Sequence, residues 1–267
     1  MKVTGKTVIV TGGANGIGEA LARKFAAEGA KGIVVADMDI DNARKVAADI
    51  GGIATETNVA NEQSIQDMVK AAEDAFGPVD LMCSNAGIGR GDGEQGWATS
   101  ASNKDFQDCF DINVMAHIYA ARALLPSMIE RGEGYFLHTC SAAGLLSQIG
   151  SAAYSVTKAA AVSFGESLAI THGDDGIGVS LLCPQGVDTA MLRAGDDDNP
   201  ASRDGVLSPE QVADCVVQGL ADESFLILPH PIVTKFMQNK SGDYDRWVGG
   251  MRKYRRTFAQ TNTFQGD

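Results

Sequence analysis

Short apolar runs alternate along this chain with longer stretches in which apolar residues recur every three or four positions. Such runs are typical of buried strands, and the longer periodicity is typical of amphipathic helices. The predicted strands are 8–10, 32–36, 81–83, 135–137, 179–183 and 225–228, with a weaker one at 54–59. The predicted helices are 16–28, 40–50, 61–76, 102–131, 151–173 and one from 208 to about 220.

This alternation predicts an α/β fold in which helices cover both faces of a parallel sheet. Right-handed crossovers then give a doubly wound parallel sheet, the Rossmann fold, with about seven strands. Two segments rich in Gly, Asp or Pro, 89–100 and 194–205, are predicted to be loops. Because no segment has the composition of a linker, residues 1–267 are predicted to form a single domain.

Charge is distributed unevenly along the 267 residues. The formal net charge is -12, which disfavours a nucleic-acid partner because its phosphates would be repelled. Residues 231–260 nevertheless carry seven basic groups against two acids, a local +5. We interpret 231–267 as a basic tail that lies on the acidic body or on a neighbouring subunit, with membrane or nucleic-acid attachment as the alternative.

Cysteine usage and the N-terminal sequence indicate the compartment. Five cysteines without a C-x-x-C pair argue against a disulfide framework and favour a reducing environment. No basic stretch followed by a long apolar one opens the chain, and no apolar run approaches the roughly 18 residues of a membrane span. We expect a cytoplasmic protein without membrane attachment. The four histidines show no ligand spacing, so no metal is expected.

A glycine-rich turn follows the first predicted strand and opens the first helix, with the sequence T-G-G-A-N-G-I-G over residues 11–18. Gly12 permits a tight turn, Gly16 lets the backbone approach a pyrophosphate, and Gly18 permits close packing of helix against strand. The helix N-terminus adds N–H donors and a positive dipole. A strand, a turn and a helix in this order predict a dinucleotide site, which Asn15 and Ile17 are also expected to contact.

The second predicted strand ends at Asp37, 19 residues after Gly18. A carboxylate there accepts hydrogen bonds from the adenosine ribose and repels a 2′-phosphate. Neither Asn15 nor Met38 supplies a cation that would hold such a phosphate. The predicted cofactor is therefore NAD and not NADP; the alternative is a solvated Asp at a strand end.

Candidate catalytic residues stand in three further places. Tyr154 and Lys158 are four residues apart, so they share one face of a predicted helix. Ser141 follows a buried strand, 13 residues before Tyr154, and Asn113 lies within the helical stretch 102–131. Each also has a purely structural interpretation, as a packed helix residue, a turn residue or a polar residue at a kink.

Together these residues resemble the short-chain dehydrogenase/reductase family in its single-domain form, over about Val3 to Thr189. The family's motifs occur in order: the T-G-x-x-x-G-x-G turn, the strand-end Asp37, the N-A-G segment at 85–87, Asn113, Ser141 and the Y-x-x-x-K pair. Each of these motifs also occurs by chance in unrelated sequences, but the ordered set is highly specific to this family.

The resemblance implies a role for each candidate. Tyr154 acts as general acid in reduction and general base in oxidation, and Lys158 lowers the pKa of the phenol and binds the nicotinamide ribose. Ser141 orients the substrate oxygen, and Asn113 holds a water in a proton relay. The implied cofactor contacts are Gly12, Asn15, Gly16, Ile17, Gly18, Asp37, Asn58, Val59, Asn85, Ala86, Gly87, Tyr154, Lys158, Val187 and Thr189.

Several positions depart from the family pattern. Ser84 replaces the first Asn of N-N-A-G, Asn58 stands where an Asp usually meets the adenine, and Gln185 replaces the Gly of P-G-x-V-x-T. The expected substrate pocket has no cluster of basic residues, which disfavours a phosphorylated or polycarboxylate substrate. Its expected lining is Ile88, Trp97, Leu145, Leu146, Gln148 and Met191.

The predicted function is hydride transfer between NAD(H) and a mainly apolar secondary alcohol or ketone. Two alternatives remain: an epimerase or dehydratase that retains NAD, and a nucleotide-sensing protein without catalysis. The helical stretches 102–131 and 151–173 pair subunits in this family, so the resemblance implies a homodimer or homotetramer.

Overall fold

Seven parallel strands form one sheet in the computed structural model, which describes residues 1–193 and 202–261, with side chains as far as 258. The strands are β1 (Thr7–Thr11), β2 (Gly32–Asp37), β3 (Ile53–Glu56), β4 (Leu81–Ser84), β5 (Gly134–Thr139), β6 (Ile177–Leu182) and β7 (Leu226–Ile227). Their order across the sheet is β3-β2-β1-β4-β5-β6-β7, and every pairing is parallel. The predicted Rossmann fold is confirmed.

Helices cover both faces of the sheet. They are α1 (Gly16–Ala27), α2 (Ile40–Ile50), α3 (Glu62–Phe76), α4 (Asn103–Phe110), α5 (Ala116–Arg131), α6 (Ala142–Leu146), α7 (Ala152–His172), α8 (Ala190–Arg193), α9 (Pro209–Ala221), α10 (Ile232–Gly242) and α11 (Tyr244–Thr261). One core lies between the sheet and α1, α2 and α9, and the other lies between the sheet and α3, α5 and α7. Both cores are formed by alternate residues of the same strands, since successive side chains point to opposite faces.

The long predicted helix 102–131 differs from the structure in one respect. A π turn, Asp111–Met115, separates α4 from α5. A π turn adds one residue to the helical repeat and therefore rotates the side chains that follow it; such turns occur mostly at functional sites. Asn113 lies at the centre of this turn and is fully buried.

The basic tail folds into α10 and α11 on the body of the same chain. Val233 of α10 is buried against Ala142 and Leu146, and the Phe236 and Trp247 rings pack 6.4 Å apart. From α11, the Arg255 Nη2 donates to the Gly96 carbonyl at 2.9 Å. The last six residues of the tail, 262–267, and residues 194–201 of the second predicted loop lie outside the described residues.

No helix among the described residues combines the length and the apolar character that crossing a membrane requires.

Candidate active site

The predicted site residues meet at the carboxyl edge of the sheet. The strand order reverses between β1 and β4, so the connections from these two strands leave on opposite sides and open a crevice between them. The glycine-rich turn follows β1, the N-A-G segment follows β4, and Ser141 follows β5. Ligands of open α/β sheets bind at this kind of crevice.

The glycine-rich turn is held by backbone contacts that leave no room for side chains. Gly12 and Gly16 have φ of +63° and +53°, in the left-handed region. A Cβ added to Gly12 would lie 2.9 Å from the Ala86 Cα, and one added to Gly18 would lie 2.0 Å from the Gly12 carbonyl oxygen. The N–H groups of the first turn of α1 are thereby exposed to a ligand, an arrangement that fits a pyrophosphate.

Asp37 stands at the end of β2, beside this turn. Its Oδ2 accepts from the Ala14 N–H at 3.0 Å, and its Oδ1 accepts from the Asp39 N–H at 3.0 Å. Each carboxylate oxygen has a second lone pair, so the group can still receive ribose hydroxyls. Met38 is 67% exposed and brings no positive charge to the position.

Asn58 and Val59 follow β3 on the adenine side of the expected cofactor position. The exposed Asn58 side chain accepts from the Ala60 N–H through its Oδ1 at 3.0 Å, which leaves its amide donors available. The Val59 side chain is buried in the core, so only the backbone of this residue can face a ligand.

Asn85 connects three strands with one side chain. Its Nδ2 donates to the Thr11 carbonyl at 3.0 Å, and its Oδ1 accepts from the Thr139 hydroxyl at 3.0 Å. The Thr11 hydroxyl in turn accepts from the N–H groups of Asn85 and Ala86. The role of Asn85 in this structure is therefore to fix the ends of β1, β4 and β5 around the turn.

Ser141, Tyr154 and Lys158 come together on the β5 side of the crevice. Ser141 caps α6 by accepting from the Ala143 N–H at 3.1 Å, and its hydroxyl donates to the Pro184 carbonyl at 3.5 Å. The same hydroxyl lies next to the Tyr154 phenol. Lys158 stands one helical turn after Tyr154 on α7, and its Nζ lies 5.6 Å from the centre of the Tyr154 ring. A hydroxyl, a phenol and an ammonium at one spot can orient and protonate a carbonyl oxygen.

The protonation of this group differs from the expectation. Burial raises the pKa of Tyr154 to about 12, and the neighbouring Ser141 hydroxyl opposes this rise without cancelling it. Lys158 was expected to lower the pKa of the phenol, but its Nζ donates to the Thr139 carbonyl at 2.8 Å instead. Burial also lowers the pKa of Lys158.

Asn113 uses its carboxamide to hold neighbouring segments in place. Its Nδ2 donates to the Ile88 carbonyl at 2.9 Å and to the Thr157 hydroxyl at 3.1 Å. Its Oδ1 accepts from the Ile88 N–H at 2.9 Å. Both amide donors are used, so a relay water can be held only by oxygen atoms of this residue, of which the main-chain carbonyl is one.

Two buried histidines behind Lys158 were missed by sequence reasoning, which considered histidines only as metal ligands. The Nδ1 atoms of His117 and His138 lie 2.8 Å apart, and the pair joins α5 to β5. Burial lowers the pKa of both, that of His138 to about 3, so both are neutral. Two features of the sequence indicate this pair: one histidine lies within the apolar β5 sequence, and the other lies four residues after Asn113.

The segment after β6 brings Val187 and Thr189 to the crevice. Val187 forms an isolated parallel bridge with Leu207, and the Thr189 Cγ2 would lie 3.1 Å from a Cβ on Gly16. Gln185 is hydrogen-bonded to two other segments: its N–H donates to the His230 Nδ1 at 3.2 Å and its Nε2 donates to the Asp204 Oδ2 at 2.9 Å.

The expected substrate pocket is only partly assembled as predicted. Leu146 is buried in the small core beneath α10, and it is therefore not a lining residue. Met191 is half exposed, with its sulfur 3.9 Å from a Cβ placed on Gly89. Trp97 and Gln148 line a separate cavity of about 400 Å³. A larger cavity of about 540 Å³ runs from Asn15 and Gly16 along α1 and α9.

The fold is of the class that binds dinucleotides at the carboxyl edge of its sheet, where the candidate site residues lie. Residues 6–200 match the family described as short chain dehydrogenase. The chain belongs to the short-chain dehydrogenase/reductase family.

Relatives and solved structures agree with this assignment. The chain is 32% identical to 1-deoxy-11-beta-hydroxypentalenate dehydrogenase of Streptomyces exfoliatus, over 85% of this chain and 84% of that one. A short-chain dehydrogenase/reductase of Burkholderia phymatum in complex with NAD superposes with a TM-score of 0.82 at 30% identity, covering 92% and 96% of the chains. The 3-ketoacyl-(acyl-carrier-protein) reductase of Brucella melitensis, complexed with NADH, has a TM-score of 0.78 at 28% identity, covering 85% and 96%.

Proposed function

We propose that this protein is an NAD-dependent oxidoreductase that transfers hydride between NAD(H) and a mainly apolar secondary alcohol or ketone. The observation that carries the proposal is the convergence of Ser141, Tyr154 and Lys158 beside the glycine-rich turn. The name of the Streptomyces relative, which specifies a hydroxylated acid anion, supports a hydroxyl group as the reacting group.

The cofactor site is proposed from residues that leave room for it. The turn of Gly12, Gly16 and Gly18 would hold the pyrophosphate, and Asp37 would accept the ribose hydroxyls. Thr189 and the backbone of Val187 would face the nicotinamide. NAD supplies the hydride acceptor or donor when it is bound. Two structural neighbours crystallised with NAD or NADH support this choice.

The remaining chemistry belongs to the protein's own side chains. The Ser141 hydroxyl would orient the substrate oxygen, and the Tyr154 phenol would give a proton to it during reduction or take one during oxidation. Lys158 would bind the nicotinamide ribose. Asn113 would fix Ile88 and Thr157 through its carboxamide, and Thr157 directly precedes Lys158.

Turnover with a panel of secondary alcohols tests the proposal. Purified protein with NAD should show growth of absorbance at the reduced-nicotinamide band, and NADP measured alongside should give much slower growth. Absence of turnover with every alcohol and every corresponding ketone would contradict the proposal. Tight retention of NAD without net turnover would favour the epimerase or dehydratase alternative.

Removal of the Asp37 carboxylate should reverse the cofactor preference. We expect Asp37→Ser to weaken NAD affinity about 10- to 100-fold, because hydrogen bonds to a charged group are lost, and to improve NADP affinity because repulsion is removed. Asp41→Ser removes an exposed carboxylate nearby on α2 and serves as the matched control. Fluorescence titration with both cofactors measures the result; unchanged NAD affinity in Asp37→Ser would refute the assignment.

The pH dependence should follow the protonation of Tyr154. Its pKa is raised to about 12, so the phenol is protonated across the neutral range. A protonated phenol is ready for reduction, whereas oxidation needs the phenolate, whose fraction grows with pH. We expect kcat/KM for oxidation to rise between about pH 6 and pH 10 while that for reduction stays level over the neutral range. The pH profiles of kcat/KM for oxidation and for reduction measure this difference. A level profile for oxidation would contradict the prediction.

We further infer one domain over 1–267, self-association and a cytoplasmic location. Large apolar side chains are exposed on the outer helices: Ile129 of α5 is 37% exposed, and Val156 and Ile170 of α7 are 49% and 84% exposed. Burial of this surface in a homodimer or homotetramer would remove it from water. The five cysteines are free, which suits a reducing compartment. Light scattering would measure the assembly.

A further inference from the structure

A cavity of about 400 Å³ lies beside the candidate active site, between the loop after β4, the turn before α7, and α11. We refer to it as the Trp97 cavity. Its lining residues are Asp92, Gly96, Trp97, Ala98, Gln148, Ile149, Gly150, Ala152 and Arg255.

The wall of the Trp97 cavity is attached to the helical turn that carries Tyr154. Ala152 opens α7 and stands two residues before Tyr154. The Gln148 N–H donates to the Ser155 hydroxyl at 2.8 Å, and the Ser151 hydroxyl donates to the Arg90 carbonyl at 2.6 Å. The cavity therefore adjoins the N-terminal turn of α7, the helix that carries Tyr154.

The cavity combines an apolar surface with two charged groups. The Trp97 side chain is 65% exposed, and Ile149 adds aliphatic surface. The Asp92 carboxylate is buried and accepts from the Ala152 N–H at 2.6 Å, at the positive N-terminus of α7. The helix end stabilises this charge, and Arg255 supplies the positively charged group of the lining.

Arg255 has donors to spare. One of the five guanidinium N–H groups is used by the Gly96 carbonyl, at 2.9 Å, and this bond fixes the side chain at the rim of the cavity. The planar fork matches the two oxygens of a carboxylate, and such charge-assisted pairs are about twice as strong as neutral hydrogen bonds. Arg252, Lys253 and Arg256 are exposed on the same helix and add to the positive potential there.

We propose that the Trp97 cavity binds a carboxylate carried by the substrate, with Arg255 as the residue that determines this specificity. The substrate class is then an apolar monocarboxylic acid that bears a secondary hydroxyl or keto group. This inference rests on the proposed oxidoreductase function and narrows its substrate. It also assigns a ligand-binding role to the basic tail, which composition alone did not suggest.

Direct binding tests the cavity without turnover. In a Trp247→Phe background, Trp97 is the remaining tryptophan, and its fluorescence can be titrated with cyclohexanecarboxylate or with the neutral cyclohexanecarboxamide. We expect saturable binding of the carboxylate at least about 10-fold tighter than that of the amide, and a loss of this difference in Arg255→Gln. Arg255→Lys should retain part of it, because a point charge attracts the anion without the fork.

Arg252→Gln is the matched control, since it removes the same charge from α11 at an exposed position outside the cavity. It should keep the preference of the parent for the carboxylate. Absence of saturable carboxylate binding, or equal binding of acid and amide, would overturn the inference. So would an equal weakening by the two Gln variants, because the effect would then be general electrostatics.

Turnover separates this inference from the proposed function. With NAD, 4-hydroxycyclohexanecarboxylate should be oxidised with a kcat/KM at least about 10-fold above that of its methyl ester, and Arg255→Gln should abolish this ratio mainly through KM. Oxidation of both compounds at equal rates would sustain the oxidoreductase and refute the carboxylate site. Selective carboxylate binding with no oxidation of any alcohol would sustain the carboxylate site and refute the oxidoreductase.

Discussion

Tyr154→Phe should lower turnover by about 10²- to 10⁴-fold, the range in which a positioned acid or base contributes to proton transfer. The substitution removes one oxygen and keeps the ring. The Ser141 hydroxyl still caps α6 through the Ala143 N–H. Since Phe remains a good fit in the first turn of α7, we expect NAD affinity and the thermal midpoint to change little.

The measurement combines steady-state rates with a fluorescence titration of NAD. Tyr119→Phe is the matched control, because it removes the hydroxyl of a half-buried tyrosine on α5, outside the candidate site. Full turnover in Tyr154→Phe would exclude the acid–base role. Loss of NAD binding together with turnover would instead indicate that the phenol holds the cofactor.

Gly18→Ala should have the largest effect on both stability and cofactor binding. The new Cβ would lie 2.0 Å from the Gly12 carbonyl oxygen and 2.7 Å from the Asn85 Nδ2. Neither atom belongs to a flexible side-chain end, because Asn85 is fixed by its bonds to Thr11 and Thr139. The turn must therefore move, at a cost of about 3 kcal/mol in the free energy of unfolding. We expect NAD affinity to fall beyond measurement in the same variant.

Urea unfolding and NAD titration measure these two losses. Gly250→Ala provides the control: Gly250 lies in α11, and a Cβ there would meet nothing within 4 Å. Replacing a helical glycine by alanine at an open position should stabilise the protein by up to about 1 kcal/mol. A Gly18→Ala protein with the stability and NAD affinity of the parent would show that the close approach at this turn is unnecessary.

Elements with local signals could be predicted closely from the sequence. Helix α2 begins and ends where the pattern placed it, between the capping Asp39 and Gly51, whose φ is +68°. The capping box at Ser208 and Gln211 starts α9 as expected. Caps and turns are set by neighbouring residues, so a short stretch of sequence contains the necessary information.

Features that depend on distant residues could not be predicted in this way. The π turn after α4 is stabilised where Asn113 bonds to Ile88 and to Thr157, which are far from it in sequence. The charge pattern predicts only that Arg255 belongs to a basic tail, whereas its position at the Trp97 cavity depends on the carbonyl of Gly96. Such long-range contacts have no local sequence pattern.

The cluster of Thr11, Asn85 and Thr139 has a consequence for protein engineering. These residues stand at the ends of three separate strands, and Asn85 is hydrogen-bonded to both threonines. A chimera that takes β1 from one relative and β4 from another would therefore combine unmatched partners, even if each crossover point fell in a surface loop. Loop grafts and ancestral recombinants of this chain should exchange all three positions as a unit.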